Sequence, residues 1–501
     1  MIKKTPVFIF NSLDVVRGGL TKAVLTRANT LINFCDEVIF LTLKFQPEFN
    51  SIKKKLYQSG LLDKRVKVVN FFDEYKNSIK EKIKLKQKND QKTKESDYVV
   101  FEDQANELPS YRYYLNGVYK KYKRFDKNNN LMFIDYMNES RHRYRRDEYN
   151  RSGVLVRSRH MDLFTNKPKL DQYFNDKGVC YLSIWLNESG KENRTLLFGK
   201  NPQEYATLFE AYTNWIEEII SDLSNPLVMS DSRFTDSITL DINNDQAKKV
   251  AILHNNHFQE PFDSTAKIKK SWKPLYNNLD KYDSVVFLTE EQKKDFIELF
   301  GDFKSYAVIP HAAKTVKINK KTDYNPYLAV TLARYDSQKR LDEAINAFYY
   351  VVQELPEAQY HIYGFGPLEN DLRGIITDLN LEENVKLKGF SHDPAKIYQS
   401  AACSILTSDY EGFGMVLTES LAAGTPVVSY DIKYGPKDII QDGIDGYLIP
   451  KGDTKKMASR IIEIMKNPGL REELSNNSRD VINRFSEERY TESWLSLLKN
   501  I

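Results

Sequence analysis

Short apolar runs rich in β-branched residues alternate with helical patterns through the last third of the chain, and this alternation restricts the fold more than any other feature. The runs are Tyr327 to Leu332, Gln359 to Tyr363, Asn384 to Leu387, Ala402 to Thr407, Pro426 to Tyr430 and Gly446 to Ile449. Between them, Arg340 to Leu355 and Glu369 to Leu379 carry apolar residues at helical spacing. Such repetition predicts right-handed βαβ units and a doubly wound parallel sheet of the α/β class. Ligands on these sheets bind beyond the carboxyl ends of the strands.

The N-terminal part shows the same alternation, but split. Val7 to Asn11, Glu37 to Leu43 and Lys67 to Phe71 read as strands, and the series resumes at Pro226 to Met229, Lys249 to His254, Ser284 to Leu288 and Ser305 to Ile309. Between them, closely spaced Tyr- and Phe-rich strands are punctuated by Asn129-Asn130, Ser152-Gly153, Lys177-Gly178 and Ser189-Gly190. These hairpin signals predict an antiparallel meander inserted into the first sheet domain. The expected organisation is residues 1–95 and 206–318 as one Rossmann-like domain interrupted by an insert at 96–205. A second Rossmann-like domain follows at 319–485, and a terminal helix at 486–501 packs back toward the first domain. A chain of 501 residues is too long for one core. Three cysteines without a CxxC pair argue against a disulfide scaffold or a zinc site. The first ten residues read as a strand rather than a leader, and no window is long and apolar enough to span a bilayer. A cytoplasmic protein is expected, with peripheral membrane contact left open.

The stretch Asp409-Tyr410-Glu411-Gly412-Phe413-Gly414-Met415 follows a strand and opens into a helix that carries Glu419 and stops at Gly424. Unpaired amides and the helix dipole favour a phosphate there. Glu411 would face the group attached to that phosphate, and Glu419 would accept hydrogen bonds from a ribose. Arg334 and Lys339, five positions apart after the first C-terminal strand, offer a guanidinium fork and a mobile ammonium suited to a diphosphate leaving group. Gly364 and Gly366 follow the second strand. Near the N-terminus Gly18 and Gly19 allow close backbone approach to a ligand, with a plain turn as the alternative. They form neither a dinucleotide fingerprint nor a Walker sequence. His254 and His257 end a strand; a metal would need a third ligand that nothing nearby supplies, so no metal is expected. His254 is read as a donor to a transferred sugar, with His257 and Asp231 as candidate acceptor-side residues.

Two basic stretches frame the insert. Lys76 to Lys94 carries eight lysines, and Arg141 to Arg146 includes Arg143, Arg145 and Arg146. Each reads either as a solvated face or as a landing strip for a phosphate-rich polymer or acidic membrane surface. No nucleic-acid motif accompanies them.

Gly-Gly after strand one, a strand-end His, Arg-x4-Lys and Glu-x7-Glu before a helix together resemble the family-4 retaining glycosyltransferases. The resemblance covers nearly the whole chain except the insert. It implies the GT-B fold, two Rossmann-like domains facing a cleft, with a nucleotide-sugar held mainly by the C-terminal one and no catalytic metal or other cofactor. Arg334 and Lys339 would then neutralise the diphosphate, Glu411 and His254 would contact the donor sugar, and Glu419 would hold the ribose. Amides near Gly414 and Met415 would bind phosphate, backbone near Gly389 and Phe390 would read the base, and Gly18 and Gly19 would line the phosphate side. A narrower set, Leu13-Asp14 with Gly18-Gly19-Leu20-Thr21, the insert, and Tyr430 to Pro436, is similar to a Gram-positive subgroup. That subgroup comprises wall teichoic acid α-glycosyltransferases and enzymes that place GlcNAc on serine-rich adhesins. The implied function is transfer of glucose or N-acetylglucosamine from UDP-Glc or UDP-GlcNAc to a polyol-phosphate polymer. Transfer to a Ser/Thr-rich protein and a non-catalytic binding subunit are the rivals, and the insert implies acceptor binding or a homo-oligomer.

Overall fold

The computed structural model describes residues 2–15, 18–79, 92–199, 201–302, 305–318 and 323–501. It divides into two compact units: Lys3–Ser230 with Phe234–Lys248, and Asp231–Arg233 with Lys249–Ile501.

In the first unit, parallel strands Pro226–Ser230, Thr5–Phe10, Ile39–Thr42 and Lys67–Asn70 lie side by side in that order, with Val7 opposite both Val228 and Ile39. Every residue of Thr5–Phe10 is buried, as expected for a parallel strand covered on both faces. The insert is a ten-stranded antiparallel sheet from Val99 to Tyr205 whose strands pair in sequence order. Its turns place Asn129, Gly153, Gly178 and Gly190 at positive φ, which is why Gly and Asn punctuate that stretch. Tyr173, Leu182 and Leu197 of this sheet share a core with Ile39, Phe72, Tyr212 and Trp215. Lys76 pairs with Asp176 at 2.8 Å, while most of the lysine run, 80–91, lies outside the described residues.

The second unit contains the parallel strands Ser284–Phe287 and Ser305–Val308, and a six-stranded parallel sheet. The order of the six is Val385–Gly389, Gln359–Tyr363, Asn325–Leu332, Ala401–Leu406, Val427–Asp431 and Gly446–Pro450. Strand direction of growth reverses between Asn325–Leu332 and Ala401–Leu406, a topological switch point where loops diverge and leave room for a ligand. Helix Leu341–Glu354 buries Leu341, Ala344, Ile345, Phe348 and Val351 against this sheet, a 3.6-residue stripe. The terminal helix Glu487–Asn500, capped by Ser486, buries Tyr490, Trp494 and Leu498 and borders Ser305–Ile309. Among the described residues no helix is long and apolar enough to cross a membrane.

Candidate functional site

The loops leaving the two switch-point strands are stitched together before either reaches a ligand. Asp409 N donates to Gln338 O (2.8 Å), Gln338 Nε2 to Tyr410 O (2.9 Å) and Thr407 Oγ1 to Lys339 O (3.0 Å). This brings Lys339 Nζ to 2.5 Å from Glu411 Oε1, which also accepts the Ser408 hydroxyl at 2.7 Å. Both charged side chains are mostly buried, at 16% and 11% exposure. Arg334 stands on the same loop with its guanidinium 65% exposed, held at 2.8 Å by Asp336.

Glu411 is strapped from behind. Its N–H donates to Lys433 O (3.2 Å) and its carbonyl accepts from Tyr434 N (3.1 Å). Gly412 and Gly435 are required by close contact: a Cβ on Gly412 would lie 1.9 Å from His254 O, and one on Gly435 1.8 Å from Phe413 O. Gly414, at φ +87°, turns the chain into helix Met415–Ala422, so the amides near Met415 open the helix and Glu419 sits half-buried farther along it. Gly364, at φ +149°, and Gly366 would set a Cβ 1.8 Å from Ala333 O and 2.3 Å from Tyr335 O. Their visible task is to let the loops after neighbouring strands touch. Beyond the outer strands, Phe365 and Phe390 are 59% and 54% exposed, 6.2 Å apart edge to face, with Gly389 in the left-handed region. Two uncovered aromatic faces at strand ends suit a planar base.

The sequence reading set His254 on the sugar and grouped His257 with Asp231 on the acceptor side; the structure instead pairs His254 with Asp231. His254 Nε2 lies 2.6 Å from Asp231 Oδ1, and its ring stacks on His311 at 5.6 Å. Asp231 has no side-chain exposure, so it orients His254 instead of touching an acceptor. His257 is fully buried among Phe258, Trp272, Phe296 and Tyr434, and burial lowers its pKa to about 4. The expectation that it meets an acceptor is corrected: it is a core residue. Lys433 entered the sequence reading only within the Tyr430 to Pro436 resemblance, with no role assigned. Ser408 and His311 were not anticipated, since neither carries a local pattern. Nor was Lys269, whose Nζ lies 2.8 Å from Asn256 O and 4.1 Å above the Tyr410 ring, with its pKa pushed down to about 8 by burial.

In the first unit, Gly18 caps helix Gly19–Leu31 after the first strand, and a Cβ on it would meet none of the described residues within 4 Å. The space is open to a ligand, and the backbone, at φ −69°, does not itself demand glycine. The insert arginines are paired: Arg146 grips Asp135 with two bonds of 2.7 Å, Arg143 reaches Asp135 at 3.4 Å, and Arg145 reaches Asp147 at 3.1 Å. They therefore present far less free charge than their sequence implies. A cavity of about 550 Å³ opens in this unit, bordered by Lys44, Phe45 and Glu48 after strand Ile39–Thr42 and by Phe133, Tyr149 and Arg151 of the insert. Among the described residues no group of three or more His, Cys, Asp or Glu is placed to hold a metal.

Residues 314–481 match the family model of glycosyl transferases group 1, and residues 7–197 match glycosyl transferase 1 domain A. The poly(glycerol-phosphate) alpha-glucosyltransferase of Bacillus subtilis is 30% identical over 99% of this chain and 75% of its own length. The chain belongs to the group 1 glycosyltransferases. A poly(ribitol-phosphate) alpha-N-acetylglucosaminyltransferase of Staphylococcus aureus is 27% identical over 98% of both chains. The crystal structure of a mutant S. aureus TarM with fondaparinux, alpha-GlcNAc-glycerol and UDP superposes with a TM-score of 0.88 at 26% identity, covering 100% of both chains. This group 1 enzyme thus has the GT-B fold, with an antiparallel sheet in its N-terminal part.

Proposed function

We propose that this glycosyltransferase moves glucose or N-acetylglucosamine from a UDP-sugar onto a polyol-phosphate polymer, in α linkage and with retention, as a family-4 enzyme. The observation that carries the reading is the Lys339–Glu411 pair at the switch point, 72 positions apart in sequence and 2.5 Å apart in space. Two relatives that align with nearly the whole chain act on polyol phosphates, and the TarM crystal contains UDP. These favour a polyol-phosphate acceptor over a Ser/Thr-rich protein, and an enzyme over a binding subunit.

In this reading Arg334 and Lys339 neutralise the diphosphate as the bond to the sugar breaks, and the helix N-terminus at Gly414–Met415 takes one of its phosphates. Glu411 and His254, each locked by a buried partner, position the sugar. Glu419 takes the ribose hydroxyls, and Phe365 and Phe390 frame the base. Retention fits a front-face displacement in which the departing diphosphate accepts the proton of the incoming hydroxyl; the enzyme contributes alignment and charge stabilisation. Residues 1–95 and 206–318 form the acceptor domain and 319–485 the nucleotide-sugar domain. The cavity between residues 44–48 of the first domain and Phe133, Tyr149 and Arg151 of the insert holds the polymer, with Lys44 and Arg151 meeting phosphate and the Phe45 and Phe133 faces meeting carbon chains. The insert at 96–205 is also the expected oligomer contact.

Incubation with labelled UDP-Glc or UDP-GlcNAc and either poly(glycerol phosphate), poly(ribitol phosphate) or a Ser/Thr-rich peptide tests the proposal. Sugar should appear on a polyol phosphate. Transfer to the peptide alone reverses the acceptor assignment, and no UDP release with any combination refutes the activity.

A further inference from the structure

Asn256 is fully buried two positions after His254, and each of its polar atoms is engaged. Its N–H donates to Asn255 Oδ1 (2.8 Å), its carbonyl accepts from Lys269 Nζ (2.8 Å), and its Oδ1 accepts from Phe258 N (2.7 Å). Those bonds shape its own loop. The side-chain nitrogen also reaches out of it: Nδ2 donates to Phe262 O (2.8 Å) and to Lys433 O (3.2 Å), 177 positions away in sequence. Lys433 O is the same oxygen that accepts from Glu411 N (3.2 Å). A carbonyl has two lone pairs and serves both donors at once. A single atom thus joins the loop that carries His254 to the loop that carries Glu411.

The strap is held from its other side by helix Glu290–Phe300. Asp295 Oδ2 accepts from Lys433 Nζ (2.5 Å) and from Tyr434 Oη (2.7 Å), and Glu291 adds a second carboxylate 3.5 Å from Lys433 Nζ. Three positions earlier, on the same helix face, buried Gln292 donates from Nε2 to Asn255 O (2.8 Å). One helix face therefore grips both loops. The loops also meet directly. Gly412 packs its backbone on His254 O, where a Cβ would lie at 1.9 Å, and His311 contacts both the His254 ring, at 5.6 Å, and Phe413, at 5.4 Å. A buried Asn that only shaped its own turn would end its bonds within that turn. The bond to Lys433 O instead ties the turn to the backbone of Glu411.

We propose that Asn256 and Asp295 are positioning residues for the transfer reaction: together they fix the Lys433–Tyr434 strap, and through it the Glu411 backbone, at a set distance from His254. This rests on the reading of Glu411 and His254 as the groups that position the transferred sugar. Neither Asn256 nor Asp295 touches substrate; each acts through Glu411. Loosening the strap lets Glu411 drift, and a misplacement of about 1 Å is enough to cost on the order of 100-fold in rate.

The test is steady-state kinetics of the full chain with UDP-Glc or UDP-GlcNAc and poly(glycerol phosphate) or poly(ribitol phosphate), with UDP affinity by calorimetry and thermal melting alongside. Asn256→Asp keeps the acceptor for Phe258 N but turns an oxygen toward Lys433 O. Asp295→Asn keeps an acceptor for Tyr434 but removes the charge facing Lys433. Asn256→Asp should lower kcat by about 100-fold and Asp295→Asn by about tenfold, while the KM for UDP-sugar and the affinity for UDP stay within about twofold. Added to Glu411→Gln, Asn256→Asp should lower kcat by less than about threefold more, since both act at one point. If wild type transfers sugar and the folded variants match its kcat, or lose UDP affinity in step with it, the inference is overturned and the activity stands. Losses that add in full to that of Glu411→Gln overturn it too, as does failure of both variants to fold, which would make the contacts purely structural. Wild type that releases no UDP with any donor and acceptor refutes the activity itself, and this inference with it.

Discussion

Lys339 Nζ and Glu411 Oε1 approach to 2.5 Å across the mouths of the two strands that flank the switch point. Neither side chain has a second charged partner, and Ser408 supplies the only other bond to the glutamate oxygen among the described residues. In the proposed reading a leaving diphosphate would offer the ammonium a stronger counter-charge than one carboxylate, and the pair would open toward it.

Lys339→Ala should lower turnover by about 100- to 1000-fold, the scale of losing one group aimed at transition-state charge. Glu411→Gln should do comparable harm. Because the two share a contact, the double variant should fall well short of the summed losses. Steady-state kinetics with UDP-sugar and polymer measure this; additive losses would mean that the residues act independently.

Much of this site was legible because parallel strands covered on both faces read as unbroken apolar runs. Gln359–Tyr363 begins and ends where its residues predict, and Gly446–Pro450 lies within one residue of its prediction. Strand-end logic then put Arg334, Lys339 and Glu411 on adjacent loops. What stayed hidden depends on neighbours remote in sequence. His254 and His257 share one polar loop, and only Trp272, Phe296 and Tyr434 closing over the second make it core. Arg146 looks free until the strand register sets Asp135 opposite it. The Lys433–Tyr434 strap bonds Glu411 through backbone, while both side chains are held by Asp295, a residue remote in sequence.

Two loop glycines should behave oppositely on substitution. Gly412→Ala forces a Cβ against the His254 carbonyl and should cost about 1–3 kcal/mol while displacing Glu411. Gly18→Ala meets none of the described residues within 4 Å and has an ordinary φ, so stability should hold within about 0.5 kcal/mol. If that open space receives the donor, Gly18→Ala should still raise the KM for UDP-sugar. Chemical denaturation and donor kinetics on the two variants separate a packing glycine from a ligand-facing one.

Phe390→Ala removes an exposed ring that supports no core, so melting should be unaffected. If a base stacks there, UDP affinity should drop about tenfold, within the range of one lost base–aromatic contact. Isothermal calorimetry with UDP reads this directly. Unchanged affinity in both Phe390→Ala and Phe365→Ala would move the base elsewhere.

His257 gives the fold a defined response to acid. Its ring is buried with no hydrogen-bond partner among the described residues, and burial lowers its pKa from 6.5 to about 4. Between those values the unfolded chain binds a proton that the folded chain refuses. This residue's contribution is therefore intact above pH 6.5 and is lost as pH falls toward 4, by at most about 3 kcal/mol. Asp438 and Asp445 act with the opposite sign: burial raises each from 3.8 to about 6, so their protonation in the folded state favours folding on the acid side of that window. Total stability thus blends both effects, and the informative quantity is the difference between wild type and His257→Phe. Urea denaturation at a series of pH values should show that difference shifting toward the variant as pH drops from 6.5 to 4. Parallel curves would mean that His257 takes up its proton in the folded protein as readily as in the unfolded one.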